Sequence, residues 1–184
     1  MKQRKFLTRK EIDALLQATT QGRYAERDYC LLLMGFFHGF RVSELSRLAM
    51  NDVDLTQGVI YVRRLKRGLS TIQPLHPQEI KAIRAWLKKR KLIATAENNW
   101  FFLSQKQQAL SRSQIFRLME AYGKRANLTV KVHPHMLRHA CGYALADLGR
   151  DTRLIQDYLG HRNISHTVIY TASNQKRFTG IWGA

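Results

Sequence analysis

Three observations predict a mainly α-helical fold with one small antiparallel β-sheet. Apolar residues recur at helical spacing over most of the 184 residues. The period changes to that of strands only over residues 53–72, and turn signals of glycine beside polar or charged residues interrupt that stretch.

The first helix opens at Thr8-Arg9-Lys10-Glu11, a capping-box pattern that satisfies backbone N–H groups reciprocally, and Ile12, Leu15 and Leu16 then share one face. Residues 26–38 are apolar nearly all round, through Tyr29, Leu31, Leu32, Leu33 and Phe36, which predicts a buried helix ended by Gly39. Ser43 is the expected cap of a short third helix reaching Leu48. Val59-Ile60-Tyr61-Val62 follows the turn Gln57-Gly58 as a strand, and Lys66-Arg67-Gly68 marks a second turn before a strand beginning at Leu69. Asp52 and Asp54 alternate and could hold a magnesium ion, but no third carboxylate accompanies them, so a turn entering a hairpin is favoured.

Pro77 starts a helix through about Lys91, with Ile80, Ile83 and Leu87 inward. Lys81, Arg84 and Lys88 share another face, readable as a phosphate-contacting surface or simply as a solvated one. Residues 94–99 read as a loop and Trp100-Phe101-Phe102-Leu103 as a short buried extended segment. Helices follow over residues 111–125, 134–148 and 152–159. No repeat or low-complexity tract divides the chain, and one unit over residues 1–184 is expected.

Composition narrows the function. The 31 Lys and Arg against 13 Asp and Glu leave a net charge of +18, spread through both halves rather than gathered in a tail. A folded body so one-sidedly basic points to a polyanionic partner, nucleic acid above all. The longest apolar stretch, residues 30–37, is eight residues and far short of the roughly 20 a membrane span needs. Cys30 and Cys141 form no CxxC pair, so neither a disulfide framework nor a cysteine zinc site is expected. A soluble, cytoplasmic protein follows from this reading. The chain has no GxxxxGK[ST], GxGxxG or HExxH motif, which removes the usual machinery of nucleotide hydrolysis, dinucleotide chemistry and zincin proteolysis.

The chemistry concentrates in a few places. In Val132-His133-Pro134-His135-Met136-Leu137-Arg138-His139, His135 and Arg138 project together from one helix. His139 lies four residues from His135, so a zinc pair is conceivable, yet no further ligand completes it. An Arg beside a His suits a phosphodiester better, because guanidinium grips two oxygens while imidazole handles a proton. Leu159-Gly160-His161 follows, with Tyr170 nine residues later; upstream, Arg41 follows a helix end beside Glu44, and Lys66 sits in a turn. Taken singly, Tyr170 is a half-buried aromatic and Arg41 a helix-start residue paired with Glu44. Together they match phosphoryl transfer in which cationic side chains neutralise charge and a tyrosine is the nucleophile.

HGFRVSEL (38–45), Lys66, HPHMLRHACGYALA (133–146) and LGHRNISHTVIYT (159–171) occur in the order found in the tyrosine site-specific recombinases, the phage integrase family, which the chain resembles over nearly its whole length. Within that family it is most similar to the short bacterial invertases that switch fimbrial expression. The resemblance implies a recombinase catalytic domain without the usual N-terminal clamp domain. It also implies site-specific recombination through a 3′-phosphotyrosyl link, without metal, ATP or other cofactor. Arg41 and Arg138 would clamp the phosphate, Lys66 protonate the leaving 5′-oxygen, His135 help take the Tyr170 proton and His161 donate to the phosphate, with Glu44 supporting Arg41. His133, His139 and His166 are left as structural or DNA-proximal. The implied partners are double-stranded DNA with inverted repeats, three further copies of the chain in a tetramer, and DNA-bending accessory proteins at the nucleoid. Residues 173–184, with Phe178, Ile181 and Trp182, are the candidate segment exchanged between subunits. The competing readings are type IB topoisomerase-like relaxation and a non-catalytic DNA-binding regulator.

Overall fold

The structure, a computed structural model, describes residues 4–65, 68–95, 97–172 and 174–178. Its elements run α1 (Arg9–Thr19), α2 (Ala25–Phe37), α3 (Val42–Ser46), β1 (Val53–Asp54), β2 (Val59–Val62), β3 (Thr71–Pro74), α4 (Pro77–Arg90), α5 (Arg112–Arg125), α6 (Pro134–Asp147), α7 (Thr152–Leu159) and α8 (Ser165–Thr171). The predicted class of helices with one small sheet is the class observed.

Local chemistry explains most boundaries. Thr8 caps α1 through its hydroxyl, with Glu11 reaching back to the Thr8 N–H at 2.8 Å. Gly39, at φ +56, turns the chain out of α2, and a Cβ there would lie 2.5 Å from Leu159. The cap of α3 is Arg41, not Ser43: the Arg41 N–H donates to Glu44 at 2.9 Å, so the helix begins one residue earlier and ends at Ser46. The sheet is antiparallel in the order β1-β2-β3, with Tyr61 opposite Ile72 and Val62 opposite Thr71. The last strand begins at Thr71 rather than Leu69. Asp54 accepts the Thr56 and Gln57 N–H groups, at 2.8 and 2.9 Å, and so closes the turn into the hairpin.

Helix α2 is central and packs against α1, α4 and α6. Its Cys30, Leu31, Leu32, Leu33 and Met34 are fully buried or nearly so, which is why it is apolar on every face. A second, smaller apolar cluster joins Cys141 and Ala146 of α6, Ile155 and Leu159 of α7, and Tyr170 of α8. No helix among the described residues is long and apolar enough to cross a membrane. Helix α8, which carries Tyr170, has no counterpart among the predicted elements. It is only seven residues long, without a side-chain N-cap, and Thr167, Tyr170 and Thr171 form its one buried face.

Candidate active site

Four segments converge where α2 ends. Arg64, two residues beyond β2, is completely buried at its side chain. Its guanidinium donates to the carbonyls of His38 (2.7 Å), Gly39 (3.2 Å) and Tyr158 (2.8 Å) and to Glu44 Oε2 (3.0 Å). The Glu44 carboxylate also accepts from Arg41 Nη1 at 2.7 Å, from the Arg41 N–H and from the Leu65 N–H. Burial alone would raise its pKa; the Arg64 charge and the Arg41 bonds outweigh that and hold it below the usual range. Glu44 therefore stays ionised and fixes Arg41 at the pocket while pinning β2 to α3.

Arg138 enters from α6 with its side chain almost wholly buried. It donates to Gly39 O at 2.6 Å and to Leu159 O at 2.8 Å, so Gly39 O receives both Arg64 and Arg138. Desolvation, with the charges of Arg64 and Arg41, lowers its pKa to about 9. Three of the five N–H donors of a guanidinium remain for a ligand once two are spent on carbonyls. His161 follows the left-handed Gly160 that ends α7. Thr167 Oγ1 holds its Nδ1 at 2.9 Å, leaving Nε2 as the nitrogen available to the pocket, and desolvation with the Arg138 charge lowers its pKa to about 3.

Tyr170 is buried, with its hydroxyl 3.0 Å from His139 Nδ1. Gly142 makes this seat: a Cβ there would lie 2.6 Å from the tyrosine ring. Burial pushes the phenol pKa up to about 12, a rise that the charge of Arg138 opposes.

One pocket, of about 340 Å³, is lined by Arg41, His135, Arg138, His139, His161, His166 and Tyr170 among others. The structure thus brings together five of the six residues singled out for catalysis, with Glu44 behind them. Lys66 lies outside the described residues. Lys81, Arg84 and Lys88 are exposed on α4 and line no part of this pocket. His135 is exposed at the rim; the imidazole in contact with the Tyr170 hydroxyl is His139, set aside from the sequence as structural or DNA-proximal. His133 stacks on Phe116 instead. Among the described residues no group of three or more His, Cys, Asp or Glu could hold a metal ion.

Two further residues escaped the sequence reading. Arg64 continues the alternation of β2, where Ile60 and Val62 are buried, so the strand period carried the signal. Thr167 lies three residues before Tyr170 on the same face of α8. That spacing becomes a signal only once α8 is recognised as a helix.

Comparison with known proteins agrees with this geometry. Residues 5–177 match the phage integrase family. The chain is 54% identical over 181 residues to the type 1 fimbriae regulatory protein FimB of Escherichia coli (strain K12), covering 98% of this chain and 90% of that protein. It is 50% identical over 183 residues to FimE of the same strain, covering 99% and 92%. The crystal structure of XerA recombinase superposes with a TM-score of 0.82 at 30% identity, over 96% of this chain and 63% of that one. A family match across nearly the whole chain, joined to relatives of half identity or more, places this protein in the phage integrase family, as a tyrosine recombinase.

Proposed function

We propose that this recombinase inverts a promoter-bearing DNA segment that controls fimbrial expression, cutting and resealing each strand through Tyr170. The observation that carries the reading is the shared pocket of Tyr170, Arg41, Arg138 and His161. Two guanidinium groups there face the position where a phosphate would present its non-bridging oxygens to the phenol.

In this mechanism Tyr170 Oη attacks the scissile phosphorus and the bond to the 5′-oxygen breaks, giving a 3′-phosphotyrosyl link and a free 5′-hydroxyl. Arg41 and Arg138 neutralise the non-bridging oxygens, His161 donates from Nε2, and Lys66 protonates the departing oxygen. The partner strand's 5′-hydroxyl then attacks the link and releases the tyrosine. Bond energy is conserved throughout, so no nucleotide is consumed. The relatives named fimbriae regulatory proteins support the biological setting, and the net charge of +18 supports a DNA substrate. The reading includes four copies acting on two inverted repeats with DNA-bending proteins, at the nucleoid. Val168 and Ile169, exposed beside the nucleophile on α8, and the exposed Phe178 are apolar surface that a neighbouring copy would cover.

Covalent-adduct capture tests it. Wild type and Tyr170→Phe are expressed in the host, lysed in detergent with a chelator, and the DNA still attached to protein is sequenced. DNA attached to wild type alone, ending in inverted repeats that flank a promoter, is the expected result. Equal background from both, despite tight DNA binding, overturns the catalytic reading in favour of a DNA-binding regulator. Adduct without strand exchange between two sites points to relaxation instead.

A further inference from the structure

We propose that His139 is the catalytic base that takes the phenolic proton of Tyr170. The inference rests on the phosphotyrosyl mechanism above and assigns its least explained step. A buried phenol with its pKa near 12 is almost fully protonated at neutral pH, so attack requires an acceptor at the hydroxyl.

His139 Nδ1 is that acceptor by position, at 3.0 Å from the hydroxyl and within direct proton-transfer reach. His135 sits one helical turn earlier on α6, exposed, and meets the His139 ring edge to face with centroids 4.6 Å apart. It stands between His139 and solvent rather than against the phenol. The tyrosine ring is held for this contact on three sides. Gly142 leaves room below it, Tyr143 packs edge-on at 5.1 Å, and the His161 ring stacks at 6.4 Å. Tyr143 is backed in turn by Phe6, whose ring lies 4.3 Å away.

To accept at Nδ1 the imidazole must be neutral with its proton on Nε2, and its surroundings keep it so. Desolvation and then the charges of His135, Arg138, Lys5 and His133 lower its pKa to about 4. These are the groups facing it from α6, from the cap of α6 and from the N-terminal residues, while Tyr170 faces it from α8 and Arg41 and His161 share its pocket. A phosphate bound between Arg41 and Arg138 cancels much of that positive field. The proton affinity of His139 therefore rises when the phenol must release its proton.

The step balances. The Tyr170 Oη–P bond forms and the P–O5′ bond breaks, with its electron pair leaving on O5′. The phenolic proton passes to His139 Nδ1, and O5′ takes its proton from Lys66 on the opposite side. In resealing, the imidazolium returns the proton to the departing phenolate, so one residue serves both directions.

The test uses the full chain on a nicked substrate built from the captured site, comparing wild type, His139→Gln and His139→Ala. Cleavage of His139→Gln is expected to fall by about 10²–10⁴-fold with DNA affinity unchanged. Its rate should climb roughly tenfold per pH unit between about pH 6 and 9, where wild type is nearly flat, since hydroxide must replace the lost base. A substrate with sulfur at the 5′-bridging position relieves only the leaving-group side, so it should not restore His139→Gln. Added imidazole should partly restore His139→Ala. Difluorotyrosine in place of Tyr170, with its more acidic phenol, should speed His139→Gln and leave the His139 protein nearly unchanged. A pH profile parallel to wild type, or full rescue by the sulfur substrate, overturns the assignment and makes His139 a positioning residue. Failure of wild type itself to form an adduct would sink the phosphotyrosyl mechanism instead, which keeps the two failures apart.

Discussion

The two walls of the pocket are built differently. On the guanidinium side, one carboxylate accepts four hydrogen bonds, Arg64 ties three carbonyls to it, and Gly39 O receives two arginines. On the tyrosine side, Tyr170 has a single hydrogen bond and rides on a seven-residue helix whose Val168 and Ile169 face solvent. The first wall is a preorganised anion clamp, where charge is held without reorganisation. The second has few bonds to break, which suits a nucleophile that must move with the strand it has captured. Preorganisation here belongs to the clamp and mobility to the nucleophile.

Substitutions on each wall should therefore fail in different ways. Tyr170→Phe is expected to abolish the covalent adduct while leaving the melting temperature and salt-dependent DNA binding nearly unchanged, as read by gel retardation and thermal unfolding. Arg138→Ala should lower cleavage by about 10³-fold, as removal of a preorganised donor does, and also destabilise the protein, because two carbonyls lose their partner. Arg64→Met leaves the Glu44 carboxylate buried with only Arg41 as cation, and a loss of about 3–5 kcal/mol in urea unfolding is expected. A small effect there would break the distinction between the walls. Gly142→Ala forces a methyl into the tyrosine ring, for a cost of about 1–3 kcal/mol. Its adduct yield should fall while DNA affinity holds.

The smallest effect is a pH dependence that separates the walls by window. His139 and His161 have folded pKa values of about 4 and about 3, below the ordinary 6.5. Between those limits the unfolded chain binds more protons than the folded one. Stability therefore falls as pH drops below about 6.5, by at most ~1.4 kcal/mol per pH unit per histidine. The Glu44 pKa is lowered from 4.5, so its contribution is present above the unfolded value and lost only as pH falls through the folded one. His161→Gln should flatten the slope near pH 5 without touching the more acidic transition, in unfolding curves taken across pH.

Much of this was legible in the chain because the signals are local. The Thr8–Glu11 cap, the all-round apolar α2, the Gly39 stop and the alternation of β2 each act within a few residues. The order of Arg41, Arg138, His161 and Tyr170 was equally visible. Helix α8 was not legible, because it is short, lacks a side-chain cap and buries only one face, leaving packing on α6 and α7 to hold it. The α3 boundary moved because the Glu44 carboxylate serves the Arg41 N–H, leaving Ser43 no capping role.

The sequence by itself determined the helical class, the small sheet, the basic surface and the identity of the residues that can grip a phosphate. Only the tertiary structure decided which histidine meets the tyrosine. His135 and His139 share one face of α6 and are equivalent in spacing. What distinguishes them is the angle at which α8 crosses α6, set by Gly142 and the small apolar cluster of Cys141, Ile155 and Leu159. Spacing along a helix fixes which side chains face together. Which of them a distant residue touches depends on how the helices pack.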